Sequence, residues 1–319
     1  MTRFTSDSTT FASGTDKLLF PAVTGTTISL FMTTYDHTDG TQSLVFRTAS
    51  GSSGQPSMIT GWIHKLADGT SEFSVGDFSV SPSAFENALS ATDPTAIRNL
   101  LFAGNDTISG GAANNVLQGL GGDDTISGKA GNDTIEGGEG ASYLRGDEGD
   151  DLITGGSAFD DINGNMGNDT ASGGGGDDWV VGGKDNDSLS GEAGGDLVYG
   201  NLGNDTCEGG DGNDIVRGGQ QDDVLFGGAG DDYISGDRDN DTVTGGAGAD
   251  IFHSFGEAGI DRVLDFNRAE GDRVLLDAGT TYTVAQSGAD TVVSMTGGGQ
   301  MILVGVNLAS LTDGWIAVG

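Results

Sequence analysis

The sequence predicts an all-β protein: a small mostly-β module, a long run of short strands in a fixed repeat, and a β cap. Three observations carry this. A nine-residue register runs without insertion from Leu101 to His253. The eighth position of every unit in it is apolar, from Ile108 through Cys207 to Phe252. Glycine supplies 59 of the 319 residues, well above ordinary globular usage, and falls at set places in the register. The divisions follow: a module at 1–100, the repeats at 101–253 and the cap at 254–319.

In the first module all four prolines are found, Pro21, Pro56, Pro82 and Pro94. Segments 27–32, 43–47, 59–66 and 72–80 read as strands, with a hairpin turn at Asp68-Gly69. Ser81-Pro82 and Asp93-Pro94 read as caps opening two short helices. The module suits a cap over the open end of the repeats, or a small sugar-binding sandwich with Tyr35 or Trp62 in its groove.

The repeats comprise 17 units, typified by Gly-Gly-Asp-Gly-Asn-Asp-Ile-Val-Arg at 209–217. Position 1 is Gly in 16 units, and position 6 is Asp in 15, the exceptions being Asn115 and Ser142. Position 5 is Asp or Asn in 13. Alternation along positions 7 to 9 turns position 8 inward, so Cys207 reads as a small buried hydrophobe. Glycine at positions 1, 2 and 4 lets the backbone enter φ > 0 and bring carbonyls together.

Charge completes the pattern. Asp and Glu total 48 against 13 Lys and Arg, a net charge of −35. Such a surface repels phosphate backbones and anionic bilayers, which excludes nucleic acid as a partner. No apolar run approaches the roughly 18 residues of a membrane-spanning helix. The lone cysteine excludes an internal disulfide framework. A glycine-rich polyanion of this kind needs a cation to fold.

These units resemble the RTX (repeat-in-toxin) nonapeptide GGxGxDxUx, over about half the chain. The resemblance implies a parallel β-roll in which six residues make a calcium-binding turn, three make a strand, and two units complete one coil. Units 18 residues apart would then stack at about one strand spacing, ~4.8 Å. Neighbouring carboxylates on a rim would repel by roughly 0.9 kcal/mol even in water. Ca²⁺, which takes six to eight oxygen ligands from carboxylates and carbonyls, is the matching cation.

In an extended turn, positions 2, 4 and 6 of one unit face positions 1, 3 and 5 of the unit 18 residues later, which agrees with the ligand pattern the resemblance implies. On one rim Gly104 and Asp106 face Gly119, Gly121 and Asp123, and Gly122 and Asp124 face the next unit. Asp160 faces Gly173, Gly175 and Asp177, while Gly174, Gly176 and Asp178 face the unit at 191. Gly194 and Asp196 face Asn213; Gly210, Gly212 and Asp214 face Gly227, Ala229 and Asp231. Gly228, Gly230 and Asp232 face the last unit, which ends the rim with Asp250. On the other rim Gly131 and Asp133 face Gly146 and Asp150, and Gly149 and Asp151 face Gly164 and Asn168. Gly167 and Asp169 face Asn186, and Asp187 faces Asn204. Gly203 and Asp205 face Asp222, and Gly219 and Asp223 face Asn240, beside Asp241. Two gaps lack a carboxylate, Ser142 with Phe159 and Asn115 with Asn132, leaving about 13 calcium sites whose charge offsets most of the −35.

Sorted by sheet, the outward positions differ. One face carries Tyr143, Trp179, Val181, Leu197, Tyr199, Ile215, Tyr233 and Ile251; the other is mainly Thr and Ser. Either 1–100 or 281–319 folds back over the apolar face, or it is a contact surface with Trp179, Tyr199, Tyr143 and Tyr233 as anchors.

The cap resumes strand patterning at 261–266, 271–276, 290–293 and 301–304. Its first two segments resemble the DxIxDFxxGxDxIxL stretch of serralysins and alginate epimerases, making Asp261, Asp265 and Asp272 candidates for one more ion. The tail Asp313-Gly-Trp-Ile-Ala-Val-Gly319 looks like an uncleaved type I secretion signal, consistent with no apolar leader at Met1-Thr2-Arg3-Phe4. His37, His64 and His253 form no HExxH, and no GxSxG occurs. The expectation is a secreted, non-catalytic calcium-binding protein, exported through type I machinery from a Gram-negative cell into adhesion, matrix or surface-layer roles. Its partners would be a cell-surface glycan or a second copy. The alternative is a secreted hydrolase, lyase or lectin whose N-terminal module carries the site.

Overall fold

The computed structural model describes residues 104–319 and, before them, four strands: Tyr35–His37, Gly40–Thr48, Ile59–Lys65 and Glu72–Phe78. The chain divides into two compact units, Met1–Leu101 and Phe102–Gly319. In the first unit the four strands pair antiparallel in sequence order. Three of them match the expected segments; the strand expected at 27–32, the Asp68-Gly69 turn and the two helices lie outside the described residues.

In the second unit successive strands alternate between two parallel sheets. Thr107–Ser109, Thr125–Ala130, Tyr143–Glu148 and every second strand up to Ile251–Ser254 form one; Val116–Gly121, Thr134–Glu139 and the rest up to Thr242–Ala247 form the other. Each residue pairs with its equivalent one coil later, as Ile162 with Val180 and Ile153 with Ala171. The result is a stack of like on like, a parallel β-roll. Most strands are longer than the three residues expected, running through positions 7 to 9 and on to position 3 of the next unit, as in Thr125–Ala130. Hydrogen bonding carries on past position 9 because the neighbouring coil repeats the same backbone path.

The core is the set of position-8 side chains. All 17 of these side chains are buried, and Cys207 among them is fully enclosed, with burial pushing its thiol up. Two facing columns, one from each sheet and mostly Ile, Leu and Val, fill the space between the sheets. Positions 7 and 9 face out.

Beyond the repeats both sheets continue. Ile260–Val263 and Gln300–Leu303 extend one, followed by the antiparallel strands Asp290–Met295 and Tyr282–Ser287; Arg273–Leu276 and Ile316–Val318 extend the other. The tail residue Trp315 is 8% exposed and meets Phe266 edge-on, while Phe266 packs on Phe252 of the last repeat. The tail therefore closes the end of the core. Residues 281–319 add to sheet edges and leave Tyr143 and Trp179 exposed at 45% and 54%. Covering of the apolar face by that flank is thus ruled out at these two positions.

A cavity in a core only one side chain deep from each sheet has little to collapse into. Ile162→Ala is expected to cost about 2–5 kcal/mol, against within about 0.5 kcal/mol for the exposed Thr170→Ala, in urea denaturation of the calcium-saturated protein.

Candidate metal centres

Position 6 is built the same way in nearly every coil. The carboxylate turns inward and its Oδ1 accepts the backbone N–H of the position-6 residue one coil earlier. Asp106 N–H donates to Asp124 Oδ1 at 2.8 Å, Asp178 to Asp196 at 2.7 Å and Asp187 to Asp205 at 2.8 Å. The position-6 carbonyl is also used, accepting the position-7 N–H of the next coil, as from Thr125 to Asp106. Two ladders of buried aspartates result, one on each rim.

Only Oδ2 is left. In all 15 position-6 aspartates this oxygen is buried without a hydrogen-bond partner. No ion pair among the described residues reaches one of them. An unpartnered buried carboxylate oxygen is costly unless the group is neutralised or meets a cation. Burial raises these carboxyls from the usual value near 4, with neighbouring aspartates adding to the effect: to about 7 at Asp160 and Asp232 and about 8 at Asp187 and Asp223.

The space beside each Oδ2 is preserved by the position-1 glycine. A Cβ on Gly119 would lie 2.0 Å from Asp124 Oδ2 and 2.4 Å from the carbonyl of Gly137, one coil on. At Gly191 the same distances are 2.3 Å to Asp196 Oδ2 and 2.6 Å to the Gly209 carbonyl. This corrects the reading of position 1 as a φ > 0 site: left-handed backbone occurs at positions 2 and 4, and position 1 is glycine because a side chain would fill the gap. Position 2 tolerates Leu120, Lys129, Asn165 and Asn201 in that conformation.

Carbonyls of positions 2 and 4 point to the following coil, as Leu120 does toward Gly138 and Gly122 toward Gly140. Each gap thus gathers one carboxylate oxygen and several carbonyls. Among the described residues no three His, Cys, Asp or Glu side chains converge on a metal position, so carbonyls must supply most of the ligands. An all-oxygen donor set around one buried charge fits Ca²⁺ and does not fit metals that prefer thiolate or imidazole.

Position 5 makes contacts of its own in the ladder. Its side chains stand on the exposed edge, where Asn105 Oδ1 accepts the Asp123 N–H at 2.9 Å and Asp150 Oδ1 accepts the Asn168 N–H at 2.8 Å. The same pattern links Asn168 to Asn186, Asn186 to Asn204, Asn204 to Asp222, Asp222 to Asn240 and Asn213 to Asp231. Asp177 meets Gly195 likewise. The Asp/Asn bias at position 5 therefore has a structural cause, an outer ladder that fixes the turn.

The two irregular gaps are distinct. Beside Gly137 the probe position meets Ser142 Cβ and Leu144 Cδ1 at 3.3 Å and no carboxylate. Beside Gly110 it meets Asn115 Oδ1, which already accepts the Gly111 N–H at 2.8 Å. Past the repeats the ladders gain one rung each. Asp272 Oδ1 accepts the Asp250 N–H on one rim. Asp261 joins Asp241 and Ser254 on the other. Asp265 binds the N–H groups of Gly245 and Gly246 on the Asp272 side. The three acids read as one cluster are thus split between rims, because successive strands alternate between sheets.

The anchor candidates share the other exposed surface. Tyr143 lies under the Arg145 guanidinium, 3.4 Å from its ring centre, and Trp179 meets Phe159 edge-on. Tyr199 and Tyr233 are half-buried, the first near Arg217 and the second stacked on His253.

A family model for the RTX calcium-binding nonapeptide repeat (4 copies) matches residues 102–135, 128–162, 136–171, 172–207, 208–243 and 226–263. Among solved structures the chain is similar to the extracellular lipase LipA from Serratia marcescens, at 19% identity and a TM-score of 0.25, over 58% of this chain and 41% of the lipase. The chain thus spans about two fifths of that protein's length. It is also similar to the AlgE6R3 subunit of the Azotobacter vinelandii mannuronan C5-epimerase, at 23% identity and a TM-score of 0.19, over 44% of this chain and 77% of the subunit. Comparison with curated proteins gives no match.

Two outcomes follow. In a calcium-soaked crystal, anomalous scattering is expected in the gap beside Asp124 and absent from the gap beside Ser142; an ion held by the Ser142 side chain would mean the rims are misassigned. The second concerns pH. In EGTA the folded chain holds protons on the position-6 carboxyls up to about pH 6–8, while the unfolded chain releases them near pH 4. Between those limits the folded state binds more protons, so strand content read by circular dichroism should fall as pH rises from about 4 toward 8. With calcium the dependence should reverse, because protons compete for Oδ2.

Proposed function

This chain belongs to the RTX calcium-binding nonapeptide repeat family, and on that footing we propose that it is a secreted, non-catalytic protein whose roll closes when calcium enters the rim gaps outside the cell. The observation that carries this is the row of buried, unpartnered Oδ2 atoms. Position-6 carboxylates and the carbonyls of neighbouring coils would hold the ions, and calcium supplies the positive charge that the chain lacks.

The magnitudes agree. At millimolar extracellular calcium and a Kd of about 10⁻⁴ M, each site adds about 1.4 kcal/mol. Over about 13 carboxylate-bearing gaps that approaches ~18 kcal/mol, more than the ~5–15 kcal/mol by which a typical domain is stable. At sub-micromolar cytosolic calcium the same term vanishes. The chain would therefore travel unfolded through type I machinery of a Gram-negative cell and fold on arrival, serving in adhesion, matrix or a surface layer.

A hydrolytic role finds no support where serine, histidine and aspartate meet among the described residues. Ser235 Oγ lies 3.1 Å from His253 Nδ1, and His253 Nε2 lies 3.1 Å from Asp277. Yet Ser235 is 1% exposed and donates its hydroxyl hydrogen to Asp237 Oδ1 at 2.7 Å. That hydroxyl is neither free nor accessible as a nucleophile.

Circular dichroism of the full chain tests the proposal. At pH 8, strand content is expected to be largely lost in excess EGTA and restored cooperatively by millimolar calcium; full strand content in EGTA at that pH would overturn it.

A further inference from the structure

The repeat departs from its own pattern twice in adjoining coils of one rim. Ser142 replaces the position-6 aspartate, and Phe159 stands at position 5, where most units carry Asp or Asn. Both changes border the same patch of the outer sheet face. Tyr143 follows Ser142 directly, and the Phe159 ring packs against Trp179 with centroids 5.8 Å apart at 79°. At this point the chain gives up a calcium site and gains three exposed aromatic rings: Tyr143 at 45%, Phe159 at 42% and Trp179 at 54%.

The register gives the patch its form. Asp161 pairs with Tyr143 on one side and Trp179 on the other, and Asn163 pairs with Arg145 and Val181. Tyr143 and Trp179 are therefore two strands apart, about 9.6 Å at the backbone, with a polar strand between them. The walls are braced. Arg145 covers one face of Tyr143 and donates to Leu144 O, Asp161 O and Asp161 Oδ1 at 2.8–2.9 Å. Phe159 holds Trp179 from the side. Asp161 keeps its second oxygen for an incoming donor, and the side-chain oxygen of the half-buried Asn163 has no hydrogen-bond partner.

We propose that Tyr143, Asp161 and Trp179 form a carbohydrate-binding subsite for a pyranose unit of a neutral glycan. The two aromatic side chains would flank the apolar C–H face of the sugar, and the Asp161 carboxylate would accept from its hydroxyl groups. Prior fixing of the rings lowers the ordering cost of binding. Between the rings the patch offers acceptor oxygens, from Asp161 and Asn163, while its one cation, Arg145, is already paired with Asp161; hydroxyl donors suit such a site and uronate, sulfate or phosphate groups do not, which leaves an uncharged sugar as the partner. The subsite gives the adhesion reading a ligand class and rests on that reading for its setting.

The test uses the full chain saturated with calcium, on a microarray of neutral oligosaccharides, with the best-retained sugar carried into titration calorimetry. Trp179→Ala and, separately, Tyr143→Ala are expected to weaken binding by tenfold or more while the calcium-induced dichroism change stays that of the parent. Ile215→Ala, on the same face but outside the patch, should bind as the parent does. Failure to retain any neutral sugar, or unchanged affinity in both aromatic variants, overturns the proposal. So does loss of self-association in sedimentation by Trp179→Ala without sugar binding, which would make a second copy the occupant. Dichroism in EGTA reads the calcium-folding proposal separately, so failure of one does not masquerade as failure of the other.

Discussion

Everything in the roll is arranged around one half-satisfied carboxylate. Position 6 must be inside, because its Oδ1 ties its own coil to the backbone of the coil before. Having been brought inside for that purpose, it carries a second oxygen that the protein does not satisfy. Hydrogen bonding thus recruits the charge, and low dielectric then makes that charge expensive. Such a charge calls for a neutralising partner, a proton or a cation, and that demand follows from the same bond that aligns the coils.

The glycines divide according to this constraint. At position 1 the requirement is space, since a methyl group there would lie on the Oδ2 atom. At positions 2 and 4 the requirement is backbone conformation, which turns carbonyls toward the gap. Non-glycine residues at positive φ, including Leu120 and Lys129, occur at position 2, where the strain is conformational and bearable. A position-1 side chain, by contrast, meets backbone and carboxylate together, and neither can move without breaking the ladder.

The ends of the roll solve an edge problem. A core one side chain deep from each sheet is open at its last coil, and Phe252, Phe266 and Trp315 close it with three aromatic rings. Strand Ile316–Val318 then pairs with Arg273–Leu276 and covers that edge. The acidic and apolar tail is therefore part of the fold.

Periodicity made the repeat legible, and the RTX resemblance implied how its units coil. An apolar eighth position, an acidic sixth and a glycine first determine which side chain points inward, which units stack and where a cation is needed, because a nine-residue unit repeats its environment as faithfully as its sequence. Asp106, Asp187 and Asp223 were readable as buried acids for that reason. Other features rest on contacts between residues with no common period. At position 5, Asp and Asn can serve both as metal ligands and as acceptors for a backbone N–H, and the acceptor role shows only once the neighbouring coil is in place. Asp261 and Asp272 are close in sequence but sit on opposite rims, since alternate strands enter alternate sheets. The pairing of Phe159 with Trp179, and the place of Asp161 between two aromatic rings, depend on a register of one full coil and on where side chains lean. Composition and period determine which acids stack on one another; tertiary structure decides which of their oxygens are left without a partner and which surfaces stay exposed, because both depend on the neighbouring coil.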